Sequence, residues 1–410
     1  MEISVDHDTS IAKTEGSLWP SFAVCLLSNI FAGMISTLMS VYLPVVVREL
    51  VNTTNEAEIN NVSAYINALY LIGWAIGGFT WGLISDRIGR VRSLVLAIGS
   101  LGIFALATSI ASTWEFVVVW RLLSGFAVGG ILVITPTLLS EIWPAKTRSI
   151  VLGIDSIGFP VGIFSSGLMS SLVVEWRQGF LVGIIPIIIS VVTIWAAKES
   201  QNWKASTVRF NGQSVKYNEE DKSNLFRGAV IFSSMLIGLW GMFSWIPTWV
   251  QSLLTAGEGQ SQRGISMMIL GGAGITGGFM SGWISNAIGV RKSMLVCFSG
   301  CIVVSVLLFG MNSTFSPIIY VELALLSIFF GISQGLLSIY IPQLFPFHIR
   351  GTATGFCFNI GRFITAAAVY FIGVLVIMAG GYSNALLTFA SIFTIGFITL
   401  YFTKDQVKKI

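Results

Sequence analysis

The chain has 410 residues, 54% of them hydrophobic and only 10% charged, with a net charge of +4 from 23 basic and 19 acidic residues. Soluble globular proteins carry charge on about a quarter of their residues. Here apolar runs longer than about 18 residues recur along the whole sequence, which excludes an ordinary soluble protein and points to a polytopic membrane protein. Membrane β-strands would read as short alternating segments, so the expected fold class is all-α.

The N-terminal segment, MEISVDHDTSIAKTEGS, is polar and lacks a signal-peptide layout, so the first apolar run is expected to be retained. At about 20 residues per crossing, spans are predicted near 18–47, 62–84, 93–111, 115–140, 149–174, 179–197, 225–254, 264–285, 293–311, 317–341, 351–378 and 384–403. A polar stretch at 198–224 divides these twelve into an N-terminal six-helix bundle (1–197) and a C-terminal one (225–410), with 198–224 as a cytosolic central loop. With both termini on the cytosolic side, 18 Lys and Arg fall in inner segments against 3 outside (Arg48, Arg177 and Arg263). Arg121 and Arg362 then lie within spans. A basic excess distributed this way reports membrane orientation and needs no nucleic-acid partner.

The four cysteines all fall inside apolar runs, and His7 and His348 are isolated, so neither a metal nor a cofactor is expected. No nucleophile elbow or phosphate-cradling loop is present, and no enzymatic activity is expected.

The halves are related in sequence. GLISDRIGRVR at 82–92 recurs as GWISNAIGVRK at 282–292, placing Gly82, Asp86 and Gly89 against Gly282, Asn286 and Gly289. EIWPAKTRSIVLG likewise matches QLFPFHIRGTATG, pairing Arg148 with Arg350 and Gly153 with Gly355. Two landmarks in each half imply duplicated, pseudo-symmetric six-helix bundles, an arrangement in which carriers build a site between two rocking units.

At these residues the chain resembles the major facilitator superfamily over essentially its whole length. Gly82, Asp86, Arg87, Gly89, Arg90 and Arg92 fit that family's loop between helices two and three. RLLSGFAVGG (121–130), EIWPAKTR (141–148), EWRQGFLVGIIP (175–186) and KESQNW (198–203) resemble the branch of sugar porters, aromatic-acid and sialate-type proton symporters and organic-ion carriers. Two departures stand out. The seventh span reads GLWGMFSWIPTWV (238–250) instead of the Gln-rich signature of sugar porters, which demotes a hexose role. The acid that aromatic-acid symporters carry in the first span is missing from NIFAGMISTLMSVYLP (29–44).

The resemblance implies a conformational latch of charges at the inner ends of the first bundle: Asp86, Arg87, Arg90 and Arg92 with Glu141, Arg148 and Glu199, beside the turn glycines Gly82 and Gly89. In the second half Asn286 and Gln343 stand where Asp86 and Glu141 would be, so this latch is expected to be asymmetric. Topological marking alone is the bland alternative for the basic members.

Arg362 lies about 11 residues from the inner end of its span, roughly 16 Å deep at 1.5 Å per residue and near the middle of a ~30 Å core. A guanidinium there needs a watery cavity or a counter-ion, and its donor fork suits a carboxylate or phosphate. It is the expected substrate-binding residue; a buried pair with an acid from another helix is the structural alternative. Asp155 lies roughly 10 Å inside its span and is the expected proton-coupling group, with a structural partnership to a nearby base equally open. Arg121 and Glu322, about equally deep on the outer side, are an expected outer-gate pair. Asn29, Trp240, Trp245 and Asn359 are placed on the cavity, with lipid-facing packing as the alternative for the tryptophans, and Trp249 at the span end is expected as an interfacial anchor.

Together these features predict a secondary active transporter that moves a small organic anion, of carboxylate or sugar-acid type, by alternating access in symport with protons. The rival readings are a proton-driven exporter of drug-like compounds, for which GFPVG (158–162) is a partial signature, and a non-transporting membrane sensor of the same fold. The expected partners are the anionic substrate, protons and the lipid bilayer. The expected form is a monomer in a bacterial inner (plasma) membrane.

Overall fold

A computed structural model describes residues 18–52, 55–200, 218–254, 259–345 and 350–403. Among them twelve helices are long and apolar enough to cross a membrane, and no strand occurs among the described residues. In chain order these are α1 (Trp19–Val51), α2 (Glu56–Ile88), α3 (Arg90–Ser109), α4 (Trp114–Ile142), α5 (Ala145–Leu172) and α6 (Trp176–Ala196), followed by α7 (Glu219–Ser252), α8 (Gln260–Ile288), α9 (Val290–Met311), α10 (Ile318–Gln343), α11 (Arg350–Met378) and α12 (Tyr382–Phe402).

The number and order of helices match the expected spans, and several helices overrun them. At 33 and 34 residues, α2 and α7 are each about 50 Å long at 1.5 Å per residue, more than a ~30 Å core requires. Capped polar flanks explain the excess. Asn55 accepts a hydrogen bond from the Ala57 amide at 3.0 Å, while Asn218 and Asp221 form a reciprocal capping box with three acids in the first turn of α7. In α6 a 3-10 turn at Leu181–Gly183 interrupts the helix three residues before Pro186.

The sequence repeat has a conformational basis. Gly89 and Gly289 end α2 and α8 with φ of 104° and 87°, so both copies turn into the next helix through a backbone conformation that favours glycine. Within each bundle, glycine seams bring helices to backbone contact. A Cβ on Gly129 of α4 would stand 2.3 Å from the Trp74 carbonyl of α2, and one on Gly331 of α10 would stand 2.2 Å from the Gly274 carbonyl of α8.

Across the bundles α5 packs on α8 and α2 on α11, with α1 and α7 also in contact. Taking as inner the side of the loops that follow α2, α4, α8 and α10, these pairs meet tightly in their outer halves. Gly167 faces the Gly264 carbonyl, Gly271 faces the Phe164 backbone, and Gly373 faces Asn60 and Ala64. Toward the inner ends Gly82, Gly153, Gly278, Gly282 and Gly355 face open space, with nothing within 4 Å of an added Cβ. The bundles are therefore packed backbone to backbone at the outer side, while these inner-end glycines of both halves touch no neighbour.

Candidate transport site

The deepest contacts between the bundles lie at mid-membrane. There Trp74 of α2, Phe159 of α5 and Trp240 of α7 form an aromatic cluster, with ring centroids 4.8 Å apart for Trp74–Trp240, 5.6 Å for Trp74–Phe159 and 5.9 Å for Phe159–Trp240. These three side chains come from both bundles. From α11 the Arg362 guanidinium lies 5.7 Å from the centre of the Trp74 ring, within cation–π range. Arg362 is held by Asn359, one turn earlier, whose Oδ1 accepts from Nη1 at 3.2 Å. Asn359 in turn lies against Gly78, where a Cβ would stand 2.7 Å from its Oδ1, so glycine at 78 is what lets α11 bring this side chain beside α2.

Among the described residues no carboxylate lies within ion-pair distance of Arg362, which disfavours the structural-pair alternative. Arg362 is half-buried, and its guanidinium contacts neutral oxygens and an aromatic face. A cation so placed attracts an anion, and flanking indole and phenyl faces suit a planar, apolar body.

The structure brings Arg362, Asn359 and Trp240 together and separates two other expected members. Asn29 points into the first bundle, where its Nδ2 donates to Asp155 Oδ2 at 2.8 Å and to Thr135 Oγ1 at 3.1 Å. Trp245 is fully buried against Tyr382 at 6.0 Å, one turn and more beyond the cluster. Trp249 is corrected too: it is fully buried, donates from Nε1 to Ser383 Oγ at 2.8 Å and packs on Phe309, so it is no interfacial anchor. Sequence reasoning missed Trp74 and Phe159. Their signals were a tryptophan in mid-span, where the interfacial preference gives no reason for one, and an aromatic next to the helix-bending Pro160.

The expected outer-gate pair is not formed. Arg121 is buried within the first bundle, donating to the Ile35 and Ser36 carbonyls of α1, each at 2.9 Å, and stacking 4.0 Å above the Tyr70 ring. Glu322 accepts from Asn312 Nδ2 at 2.7 Å in the second bundle. The outer closure instead uses α8 and α12. Gln260 Nε2 donates to the Ser170 and Val173 carbonyls at the end of α5 (2.7 and 3.0 Å), Arg263 Nε donates to the Val41 carbonyl of α1 at 2.8 Å, and the Tyr382 hydroxyl donates to Asn60 Oδ1 at 2.6 Å. Asn60 and Gln260 are equivalents under the 200-residue repeat. Arg263, counted only as an external charge from the sequence, is a buried inter-bundle donor.

At the inner end of the first bundle the structure assembles part of the expected charge cluster. Arg90 binds Glu141 through Nη2 (3.1 Å) and Nε (3.4 Å), and pairs with Asp86. Glu199 accepts from the Arg90 and Val91 amides at 2.9 and 3.1 Å, capping the start of α3 with a negative charge. Arg148 turns back onto the Trp143 carbonyl, and Arg87 and Arg92 are exposed. All of these partners belong to the first bundle and the segment that ends it, so here the cluster joins parts of one bundle. Lys146, Arg350 and the segments around Lys204 and Lys404 lie outside the described side chains.

The family model for the Major Facilitator Superfamily matches residues 24–369. The chain belongs to the Major Facilitator Superfamily. Within it, the chain is 28% identical over 359 residues to the cis,cis-muconate transport protein of Acinetobacter baylyi, covering 83% of this chain and 85% of that protein. It is 24% identical to a gallate transporter of Pseudomonas putida, with 72% of each chain covered. It is 26% identical to the niacin transporter of Acinetobacter baylyi, covering 80% and 81%. Among solved structures, the inward-open form of the xylose transporter from E. coli superimposes with a TM-score of 0.79 at 15% identity, covering 95% of this chain and 98% of that one. This superfamily member is thus a multi-pass membrane transporter of two six-helix bundles.

Proposed function

We propose that this carrier imports a small planar organic carboxylate together with protons. The observation that carries the reading is Arg362, a mid-membrane cation with no acidic partner among the described residues, set at the edge of an aromatic cluster shared by the two bundles. The carboxylate would bridge to the guanidinium fork while the body of the substrate packs on Trp74, Phe159 and Trp240. Relatives named as transporters of muconate, gallate and niacin support the same class.

Asp155 is the group we assign to proton coupling. It is a carboxyl 2% exposed within the span of α5, and among the described residues no base lies within ion-pair distance of it. Coupling requires only that proton and substrate favour the same conformational state. The excess of basic residues on one side supports cytosolic termini, and the bacterial sources of the relatives support a bacterial inner membrane, with the bundles divided at 198–224. The carrier is assigned as a monomer, with substrate and protons as its partners.

Uptake into proteoliposomes under an imposed pH gradient tests this reading. A planar carboxylate should accumulate only with the gradient present. Arg362→Ala should raise the half-saturating concentration at least a hundredfold, because two charge-assisted hydrogen bonds are lost. Accumulation of a neutral sugar or an organic cation that survives Arg362→Ala would overturn it.

A further inference from the structure

Asp155 is buried between three helices of the first bundle, α1, α4 and α5. Its Oδ2 accepts the Asn29 amide of α1 at 2.8 Å, whereas its Oδ1 has no hydrogen-bond partner among the described residues. Asn29 and Thr135 are 3% and 0% exposed. They hold each other: the same Nδ2 donates to Thr135 Oγ1 at 3.1 Å, and the Thr135 hydroxyl lies 3.4 Å from Asn29 Oδ1.

The charged and titratable surroundings are sparse. From α1 the neighbour is the buried thiol of Cys25, one turn inward of Asn29. On α4 the nearest ionisable group is Glu141, six residues further inward and engaged with Arg90. On α5 itself Arg148 is two turns away on the Trp143 carbonyl; α8 offers Arg263 at its outer end on the Val41 carbonyl, and α6 offers Arg177 at its outer end on Glu49. A neutral amide and the Thr135 hydroxyl, and no cation, are therefore what this carboxyl group meets.

We propose that Asn29, braced by Thr135, is the positioning residue of the proton site, fixing the Asp155 carboxyl and setting the pH at which the carrier takes up its proton. The proposal rests on the reading that Asp155 carries the coupled proton. The unpartnered Oδ1 can take the proton while Oδ2 still accepts the amide, and an N–H bonds a charged carboxylate oxygen more strongly than a neutral one. The cluster is also mechanically tied to the substrate site. Glycines remove the space between α1 and α5: a Cβ on Gly158 would stand 2.9 Å from Asn29 Cβ, one on Gly33 would stand 2.2 Å from the Phe159 carbonyl, and one on Gly162 would stand 2.0 Å from the Ile30 carbonyl. Phe159, one turn outward of Asp155 on α5, therefore belongs to the same rigid helix pair as the proton site.

The test is the pH profile of uptake in proteoliposomes, taken over a range in which the substrate stays ionised, with counterflow reporting that each variant is folded and inserted. Asn29→Ala should move the midpoint upward by about one pH unit or more, the size expected for losing one hydrogen bond to a charged group. Thr135→Val, which removes the hydroxyl that both braces the Asn29 amide and lies beside the carboxyl, should move it the same way, and Thr135→Ser, which keeps the hydroxyl, should restore the wild-type midpoint. If Asn29→Ala does not insert, the two Thr135 variants decide the question alone. An unmoved midpoint in Asn29→Ala and Thr135→Val, with Asp155→Asn made insensitive to pH, overturns the role of Asn29 and leaves the proton site standing. A wild-type pH profile in Asp155→Asn overturns the proton site itself.

Discussion

The two bundles share a scaffold and divide the chemistry. The 202-residue shift that pairs Arg148 with Arg350 and Gly153 with Gly355 places Asp155 opposite Cys357 and Arg362 opposite Pro160. In the first bundle Asp155 meets the Asn29 amide, whereas in the second the Cys357 thiol faces the Leu225 carbonyl of α7 at 3.6 Å. The acid lies on one side of the pseudo-symmetry axis and the base on the other. Symmetry supplies the hinge geometry, in the paired turns at Gly89 and Gly289 and the facing glycines at the inner ends. In the proposed mechanism the two ligands are handled where the symmetry is broken, because two moving halves can respond to different ligands only if they carry different groups.

The sharpest break of this comparison is to remove the base. Arg362→Ala should abolish detectable uptake at micromolar substrate, and Arg362→Lys should recover only part of it, since a point charge cannot reproduce the bidentate fork; initial rates against concentration measure both. Removing the acid comes next. Asp155→Asn should leave a flat pH profile with no accumulation against a gradient, read as the ratio of internal to external substrate.

The aromatic wall joining the halves should matter less. Trp74→Leu or Trp240→Leu should weaken binding up to about tenfold, with a larger effect on ring-containing acids than on straight-chain ones, in competition assays.

The gate comparison predicts opposite effects at the two ends of one interface. A bulky side chain at Gly264, packed against Gly167 and Ser171, should disfavour the outer-closed state, and Arg263→Ala should do the same by removing the hydrogen bond to the Val41 carbonyl. A bulky side chain at Gly153 or Gly355, which face open space here, should be tolerated in this state and block inner closure. Labelling of single cysteines introduced on either side reports the shift. The smallest effect is expected from Asn286→Ala, which should barely alter cycling, whereas Asp86→Asn weakens the Arg90 cluster that ties together the inner end of the first bundle.

Much of this was legible in the chain. Apolar run lengths and the distribution of Lys and Arg are strong signals because lipid tolerates few alternatives to a helix, so twelve spans and a paired arrangement followed directly. Arg362 and Asp155 stood out because an ionisable group at that depth requires a reason. Helix azimuth was not legible. Asn29 and Asn359 have the same side chain at similar depth, yet one turns into its own bundle and the other toward Arg362, a difference of rotation about the helix axis that hydropathy does not encode. Charge at a span end was equally ambiguous. Arg263 and Arg177 both read as external markers, but Arg263 is drawn into the interface because Gly264 and Gly167 let α8 and α5 approach closely there.

The central claim is that one bundle carries the substrate's counter-charge at Arg362, and ligand-induced stabilisation of the purified carrier tests it most directly. Melting temperature would be followed against planar carboxylates, straight-chain acids, neutral sugars and organic cations, for wild type and Arg362→Ala. The account expects one planar carboxylate to raise the melting temperature of the wild type in a concentration-dependent way and to leave Arg362→Ala unmoved. Equal stabilisation of both proteins by the same compound, or stabilisation by a sugar or cation alone, would contradict it.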